Sequence, residues 1–334
     1  MKKENTFNSY LKKGYYQKQE FDSYSVMADT ATNWALHCIY QLTPFSVTGE
    51  NKVLMLDTIQ LSFSRRTGGL MYSFKTPPGC ISLAVIEDCR GKASLDNLKL
   101  EAGMVLLLDD KKTYVITNNE TIDSTIISIP KVYGAIIEKC MTNIGYVMQD
   151  SNNLLLEMLD NILKKYLENT KFKEDIASLK SFESEIISVI STLLNEQRAI
   201  KISLTRGEEI ALKIRDKAYQ HMDGKIDIRS FAKEYSVSEQ TIQEGFKSMF
   251  GYTPKRLLRL MKLNLVYKDL REGNSRMYTV TRIAQKWGFS HMGRFSQYYK
   301  ELFGETPSVT LNNNYDTQQD LMSPTCISRQ EEID

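Results

Sequence analysis

The chain has 334 residues, of which 42% are hydrophobic and 25% are charged, with 43 Lys and Arg against 41 Asp and Glu. This length and composition are typical of a soluble globular protein with two domains. No apolar run approaches the roughly 20 residues that a membrane-spanning helix needs. The basic start is not followed by an apolar block, so no secretory signal is visible and the sequence predicts a cytoplasmic protein.

The cysteines and histidines do not indicate a metal site or a disulfide framework. The five cysteines form no C-x-x-C pair, and they are predicted to be reduced and mostly buried. They are Cys38, Cys80, Cys89, Cys140 and Cys326. The three histidines, His37, His221 and His291, are too few and too scattered to build a metal site. No catalytic or phosphate-loop motif is present, so we expect no metal, no cofactor and no enzymatic activity.

Charge is distributed unevenly along the chain. Residues 202–311 hold 19 Lys and Arg against 12 Asp and Glu, a net charge of +7, whereas the remainder has a net charge of −5. A basic segment in an otherwise acidic chain indicates that this segment binds a polyanion.

The N-terminal part is predicted to be β-rich. Residues 1–20 are polar and basic and are expected to form a flexible arm. Residues 21–133 then show short apolar runs separated by Gly, Pro, Asn and Asp, the pattern of a compact antiparallel sandwich or barrel. The runs are 53–64, 69–76, 80–87, 104–108, 113–118 and 123–130.

The hydrophobic period becomes helical after this region. Residues 134–198 are predicted to form helices that either cover the sheet or pair with a second copy of the chain, and both alternatives remain open. A short linker, 199–204, leads to a region that is helical up to Leu311. The polar tail, 312–334, is expected to be disordered.

Two segments of the helical region repeat one another. FAKEYSVSEQTIQEGFKSMFGYTP (231–254) aligns with IAQKWGFSHMGRFSQYYKELFGETP (283–307). The offset is 52 residues at first and 53 later, so the second copy has one extra residue in the turn that contains Gly288. Repetition of this length is difficult to obtain by chance.

Each copy has the pattern of a helix-turn-helix unit, over 228–249 and 279–302. The first helix offers a small alanine where the next helix comes close, and Gly288 can adopt a positive φ in the turn. The second helix of copy one begins at the N-cap candidate Ser238 and buries Ile242 and Phe246. The residues between these anchors point outward, where bases are read if the helix enters a major groove.

The stretch KRLLRLMKLNLVYKDL (255–270) joins the two copies. It has no Gly or Pro and carries an apolar stripe, which predicts a helix roughly 24 Å long. A connector of this size can hold two recognition helices about one DNA turn, some 34 Å, apart on one face of the duplex.

These residues resemble the DNA-binding domain of the AraC/XylS family of bacterial transcription regulators, in which two helix-turn-helix units are linked by a long helix. The resemblance covers about 205–311, and GF…GRFSQYYKELFGETPS…TL is especially similar to XylS-like members. It implies an α+β multidomain protein. A β-rich sensor domain (21–133) and a helical cover or dimerisation segment (134–198) would precede an all-α DNA-binding domain.

The resemblance also implies which residues meet DNA. Base contacts are expected from Gln240, Thr241, Gln243, Glu244, Met292, Gly293, Arg294, Ser296 and Gln297. Backbone contacts are expected from Arg229, Ser238, Lys247, Lys255, Arg256, Arg259, Lys262, His291 and Lys300. For Arg294 the alternative is a surface ion pair, and for His291 it is helix capping.

Two positions depart from the family pattern. Members often have Arg where this chain has Glu244, and a carboxylate accepts a hydrogen bond from cytosine N4 but cannot bind phosphate. Glu244 therefore reads a cytosine or faces away from the DNA. The Arg-Leu pair of the linking helix is replaced by Lys262-Leu263, which keeps the charge but loses bidentate geometry.

The predicted function is sequence-specific DNA binding in transcription regulation. The resemblance implies an activator that recruits RNA polymerase, and two different recognition helices imply an asymmetric, direct-repeat site on double-stranded DNA. No membrane partner is expected. The competing class is a protein-interaction module, against which the net charge of +7 argues.

The control of the regulator is left open by the sequence. Small barrels often enclose a ligand, so the β-rich domain can bind a small-molecule effector or form a homodimer. Arg65 and Arg66 are interpreted as an exposed pair in a hairpin, with carboxylate binding as the alternative. A regulator without a ligand, controlled by its abundance or by a partner protein, is the other possibility.

Overall fold

The structure, a computed structural model, describes residues 12–23, 27, 34–44, 47–142, 147–149, 154–168, 175–196, 204–220, 227–272 and 279–313. A β-rich part precedes an all-helical part, which confirms the predicted α+β multidomain fold. Across these ranges, no helix combines the length and the apolar character needed to cross a bilayer.

Twelve strands are present in the described N-terminal residues. They are β1 (Tyr16–Phe21), β2 (Ala35–Gln41), β3 (Thr48–Met55), β4 (Gln60–Thr67), β5 (Leu70–Lys75), β6 (Cys80–Cys89), β7 (Ala93–Leu95), β8 (Leu98–Leu100), β9 (Met104–Asp109), β10 (Tyr114–Asn118), β11 (Ile122–Pro130) and β12 (Val147–Gln149). They form a larger sheet, β1-β3-β4-β11-β6-β9-β12, and a smaller one, β2-β5-β10-β7-β8.

The alternation of side chains along each strand builds separate cores on the two faces of a sheet. In β6, Ala84 and Ile86 belong to the core between the sheets, whereas Leu83 and Val85 belong to a core on the outer face of the larger sheet. The two sheets therefore enclose an interior and present their outer faces to helices.

Three helices cover the outer face of the larger sheet. They are α1 (Gly134–Thr142), α2 (Leu154–Glu168) and α3 (Ile176–Glu196). Their apolar side chains, such as Leu159 and Ile186, are buried in the same core as Leu83. Most apolar side chains of these helices are therefore buried against the sheet of the same chain. This arrangement corresponds to the first alternative, in which the helices cover the sheet.

The C-terminal part consists of helices around one core. They are α4 (Arg206–Gln220), α5 (Ile228–Glu234), α6 (Glu239–Phe250), α7 (Pro254–Glu272), α8 (Val280–Lys286) and α9 (Met292–Phe303), followed by a helical segment at 307–313. The connecting helix α7 has 19 residues. Its length is therefore about 28 Å, somewhat more than the sequence predicted.

The helical part packs against the edge strand β2 of the smaller sheet. Tyr40 and Leu42 are buried in the core of the C-terminal helices. The side-chain amide of Asn264 in α7 accepts a hydrogen bond from the Gln41 N–H at 2.7 Å and donates one to the Gln41 carbonyl at 2.8 Å. The Gln41 side chain donates to the carbonyl of Leu302 in α9 at 2.9 Å. These bonds satisfy backbone groups that an edge strand otherwise exposes.

The structure differs from the sequence prediction in four places. Residues 16–20, predicted as part of a flexible arm, lie in β1, which is a polar edge strand paired with β3. The single run predicted at 53–64 contains the end of β3, a turn and the start of β4. The segment predicted as helical after 133 also contains β12, which pairs with β9. Residues 312 and 313 continue the last helical segment, and the rest of the predicted tail lies outside the described residues.

Candidate nucleic-acid interface

The two helix-turn-helix units have the same backbone geometry in their turns. Ser236 (φ 54°) and Gly288 (φ 81°) occupy the left-handed region, and the aligned sequences place them at equivalent positions. In each unit the N–H of the next residue donates to the carbonyl of the alanine in the first helix, Ala232 or Ala284. The repeat in the sequence is therefore a repeat in the structure, and the extra residue of the second unit follows this turn.

The first recognition helix, α6, begins at a side-chain cap. Ser238 Oγ accepts a hydrogen bond from the N–H of Thr241 at 3.0 Å, as expected for an N-cap serine. Ile242 and Phe246 are fully buried. Thr241 is half-buried because it packs against Gly207 of α4, so it presents less surface to a ligand than the other predicted base-reading residues of this helix.

The exposed face of α6 carries amide and carboxylate groups. Gln240, Gln243 and Glu244 are exposed, and Gln240 Nε2 donates to Glu244 Oε1 at 2.9 Å across one helical turn. Arg229 of α5 forms an exposed ion pair with Glu239 at 3.5 Å. Glutamine matches the donor and acceptor pattern of adenine, and a carboxylate accepts from cytosine N4, so this face has the groups needed for base reading.

The second recognition helix, α9, presents a different set of groups. Phe295 and Tyr299 are buried, and Met292 is half-buried against the same core. Four predicted base-reading residues are exposed: Gly293, Arg294, Ser296 and Gln297. Among the residues that the structure describes, no carboxylate lies within ion-pair distance of Arg294. The surface ion pair considered as its alternative role is therefore not found in these ranges.

His291 occupies the N-cap position of α9 but makes no side-chain capping hydrogen bond. It is exposed, so its imidazole faces solvent at the positive end of the helix. Of its two expected roles, capping is not observed, and contact with a phosphate stays a prediction.

Basic side chains flank the recognition helices at matching places. Lys247 and Lys300 are exposed in the last turns of α6 and α9, where their carbonyls accept from the left-handed glycines Gly251 and Gly304. Lys255 and Arg256 are exposed at the start of α7. These four cations are accessible to a polyanion.

Two further basic residues of α7 are partly withdrawn from solvent. The guanidinium of Arg259 lies 3.8 Å from the ring centroid of Tyr298 in α9, a cation–π contact that ties the linking helix to the second recognition helix. Lys262 is half-buried, and burial lowers its pKa. A methyl group added at Gly288 would lie 3.3 Å from Lys262 Nζ, so this lysine lies beneath the turn of the second unit.

Sequence reasoning did not identify the close contact that positions α6. A Cβ at Gly245 would lie 2.1 Å from the Gly207 carbonyl oxygen, and a Cβ at Gly207 would lie 2.6 Å from that of Thr241. The backbones of α4 and α6 therefore touch. A glycine in the middle of an otherwise strong helix is the signal that indicates such an approach.

Glu208 was also not identified from the sequence, although it joins three elements. Its carboxylate accepts from the N–H of Thr205, which caps α4, and from Ser248 of α6 at 2.7 Å. It also forms an ion pair with Lys99 of β8. The T-x-x-E spacing of Thr205 and Glu208 is the sequence signature of a capping box, but the contact with Lys99 has no local signature.

The described residues contain no group of three His, Cys, Asp or Glu side chains placed to hold a metal ion. Cys80 and Cys140 are buried and Cys89 is half-buried, all as free thiols. Burial raises the pKa of Cys80 and of Cys140 to about 12, so these thiols are protonated and unreactive near neutral pH. The side chains of Cys38 and Cys326 lie outside the described residues.

A protein-family model described as "Helix-turn-helix domain" matches residues 231–313. The probable thc operon regulatory protein of Rhodococcus erythropolis is 37% identical over 91 residues, which are 27% of this chain and 27% of that protein. The XylDLEGF operon transcriptional activator of Pseudomonas putida is 23% identical over 216 residues, or 63% of this chain and 67% of that protein. The match thus spans about a quarter of the first relative and two thirds of the second.

Among solved structures, the AraC-like transcriptional activator CuxR is 12% identical to this chain, with a TM-score of 0.40 over 76% of this chain and 96% of CuxR. The matched region of the family model, 231–313, contains the turns, recognition helices and connecting helix described above. Residues 231–313 therefore match a helix-turn-helix domain family, and the chain is similar to bacterial operon regulators, among them the XylDLEGF operon activator.

Proposed function

We propose that the chain binds promoter DNA by placing α6 and α9 in two adjacent segments of the major groove. The observation that carries this proposal is the pair of units with the same turn geometry, each exposing polar side chains on its second helix and joined by the 19-residue helix α7. The different groups on α6 and α9 favour an asymmetric site of the direct-repeat type. The net charge of +7 for residues 202–311 favours a polyanionic partner.

The regulatory role that fits best is activation of transcription in the cytoplasm, with recruitment of RNA polymerase. The Pseudomonas putida relatives are named as transcriptional activators. The same role is proposed for this chain because it is similar to them. The base-contact and backbone-contact residues proposed above carry the DNA binding, with Thr241, Met292, Arg259 and Lys262 in less accessible positions than the others.

Control by a small effector in the β-rich domain is part of the proposal, because that domain shares a buried interface with the DNA-binding helices. The alternative is a ligand-independent regulator controlled by abundance or by a partner protein. A homodimer would use the apolar side chains that α2 and α3 leave exposed: Leu154, Leu167 and Ile176. Sedimentation of the full chain distinguishes a dimer from a monomer.

The experiment that tests DNA binding is selection of duplexes from a random library by the full chain, followed by fluorescence anisotropy at several salt concentrations. Each phosphate contact contributes a slope of about −0.9 to the dependence of log affinity on log salt. We expect a selected duplex to be preferred and its affinity to fall at least tenfold between about 50 and 200 mM salt. Equal binding of all duplexes, or an affinity that does not depend on the salt concentration, would favour the protein-interaction module instead.

A further inference from the structure

The two helix-turn-helix units differ in how each recognition helix is attached to the helix that supports it. In the first unit, Gly207 of α4 and Gly245 of α6 bring the two backbones into contact with no side chain between them. In the second unit, the aligned residues are Arg259 of α7 and Tyr298 of α9. Gly207 lies 52 residues before Arg259, and Gly245 lies 53 residues before Tyr298, which are the offsets of the repeat itself.

A close stack replaces the glycine contact in the second unit. The guanidinium of Arg259 lies 3.8 Å from the ring centroid of Tyr298, the shortest distance between a cation and a ring among the residues that the structure describes. Both side chains are half-buried. Within the described ranges Arg259 has no carboxylate at ion-pair distance, so the ring of Tyr298 is the contact that holds its guanidinium.

A second stack attaches the C-terminal end of α9 to the same supporting helix. The ring of Tyr267 in α7 lies 4.5 Å from the ring of Phe303, with 23° between the two planes. The helix α9 is therefore held by Tyr267 at its end and by Arg259 one turn and a half earlier. Because a guanidinium and a ring lie between α7 and α9, these helices are farther apart there than α4 and α6.

The Arg259–Tyr298 stack lies next to the residues proposed to read bases. Tyr298 comes four residues after Arg294 and directly after Gln297, and residues four apart are neighbours on a helix surface. Arg294 and Gln297 are both exposed. A change in the stack therefore changes the direction in which α9 presents these two side chains, whereas α6 is fixed by direct contact of its backbone with α4.

We propose that the Arg259–Tyr298 stack sets the position of α9 relative to α6, and thereby the spacing between the two DNA segments that the chain binds. Arg259 is then a positioning residue that acts through Tyr298, in place of the phosphate contact that the resemblance implies. A lysine cannot replace it, because the stack needs a flat guanidinium and an ammonium is a point charge. The inference rests on the proposed function, since the spacing has a meaning only if both recognition helices contact DNA.

The test compares the affinity of the full chain for the selected duplex with its affinity for two altered duplexes. Single-base variants first locate the two contacted segments, and one base pair is then inserted or removed between them. Each change moves one segment by about 3.4 Å along the duplex axis and also rotates it about that axis. We expect the wild-type chain to bind either altered duplex at least about tenfold more weakly than the selected one, because a misplaced segment loses a bidentate base contact.

Two variants remove the stack without changing the net charge of the chain, Arg259→Lys and Tyr298→Leu. Both should bind the selected duplex about two- to thirtyfold more weakly, the range given by one cation–π contact. Both should also discriminate less than about threefold against the altered duplexes, because α9 can then adjust to them. This spacing preference is a ratio of affinities measured on one protein sample, so a smaller folded fraction in a variant does not alter it.

Two controls and the salt dependence separate positioning from phosphate contact. Tyr298→Phe keeps the ring and should keep the spacing preference, and Arg271→Lys, the same change in the exposed last turn of α7, should behave as wild type. Arg259→Gln removes the charge and should lose the spacing preference with an unchanged salt slope. A slope shallower by about one unit in Arg259→Gln, the signature of a lost phosphate contact, would overturn the proposal, as would an unchanged spacing preference in Arg259→Lys and Tyr298→Leu.

Failure of this inference is distinguishable from failure of the proposed function. If the wild-type chain prefers one duplex with a steep salt dependence but binds the altered duplexes equally well, only the role of the stack is rejected. The same holds if the variants without the stack keep the spacing preference of wild type. A wild-type chain that prefers no duplex rejects the proposed function, and the inference falls with it.

Discussion

At the scale of the residue, the exposed basic side chains of the C-terminal helices lie in two kinds of position. Arg294 lies on the exposed face of α9, where Ser296 and Gln297 are also exposed, whereas Lys255 lies at the start of α7, outside both recognition helices. A planar guanidinium on a recognition helix can read guanine, while a lysine at a helix start contacts the phosphate backbone.

We expect Arg294→Ala to relax the base preference at one position of the selected duplex, with a loss of about 1–3 kcal/mol of discrimination against the wrong base. Lys255→Ala should instead weaken all duplexes alike and make the salt slope shallower by about one unit. Anisotropy with a panel of single-base variants measures both effects. Uniform weakening by both substitutions would contradict the assigned roles.

Gly245 is the residue on which the position of α6 depends, because its missing side chain allows the backbone of α4 to approach. In Gly245→Ala the new methyl group would lie 2.1 Å from the Gly207 carbonyl oxygen. The helices must then move apart, and we expect a loss of about 1–3 kcal/mol in the free energy of unfolding, measured by urea denaturation.

Gly293→Ala is the matched control, since Gly293 is also helical and a Cβ there meets no neighbouring element within 4 Å in the part of the chain that the structure describes. Alanine is favoured over glycine within a helix by up to about 1 kcal/mol, so this variant should be slightly more stable than wild type. Equal effects of the two substitutions would show that the contact between α4 and α6 is not close.

At the scale of the element, the two turns adopt the same left-handed backbone conformation with different residues. Ser236 adopts φ 54° and Gly288 adopts φ 81°, and a side chain in this region is strained whereas glycine is not. The second turn is therefore the less strained of the two, although both have the same hydrogen bond to the alanine of the first helix.

We expect Gly288→Ala to destabilise the C-terminal part by about 1–2 kcal/mol, mainly through backbone strain, because among the described residues the new Cβ would approach only the flexible end of Lys262. Ser236→Gly should have the opposite sign and a smaller size, since glycine relieves strain but costs conformational entropy. Urea denaturation followed by circular dichroism measures both. If the two substitutions changed stability in the same direction, the equivalence of the turns would be refuted.

At the scale of the whole molecule, polar contacts join the β-rich part to the DNA-binding helices at separate points. Asn264 bonds to the backbone of Gln41. Arg215, 2% exposed, donates to the carbonyl of Asp96 at 3.2 Å, and Glu208 pairs with Lys99. The helices α4 and α7 are thus held against the smaller sheet.

The Glu208 contact predicts how stability depends on pH. Burial alone would raise the pKa of Glu208, but hydrogen bonds from Lys99, Ser248 and Thr205 outweigh it and lower the pKa to about 2. A carboxylate with a lowered pKa stabilises the folded state above its unfolded pKa, and this contribution is lost as the pH falls through the folded pKa. The relevant window runs from the ordinary pKa of 4.5 down to about 2.

We therefore expect Glu208→Gln to be less stable than wild type at pH 6 and to lose less stability on acidification through this window. Urea denaturation at pH 6, 4.5 and 3 measures the difference. Glu209→Gln is the control, because Glu209 forms only an exposed ion pair with Arg206 at 3.5 Å. Parallel pH profiles for wild type and Glu208→Gln would contradict the role given to this carboxylate.

Features that depend on local sequence patterns could be predicted before the structure was known. The repeated segments, the N-cap serine Ser238 and the change from β-like to helical spacing predicted the fold class and most of the exposed residues of both recognition helices. Short or polar strands were missed, because β7 and β8 have three residues each and β1 is a polar edge strand. Such strands lack enough apolar alternation to stand out.

Contacts between residues from distant parts of the chain became apparent only in the folded protein. The bond between Gln41 and Asn264 spans 223 positions of the sequence, and the contacts of Gly207 with Gly245 and of Lys99 with Glu208 join separate elements. The interpretation of Arg65 and Arg66 as an exposed pair is wrong for Arg66, because which of the two is buried likewise depended on which face of β4 the rest of the β-rich part covers. Contacts of this kind have no fixed spacing along the chain, because they arise from packing between elements rather than from the period within one.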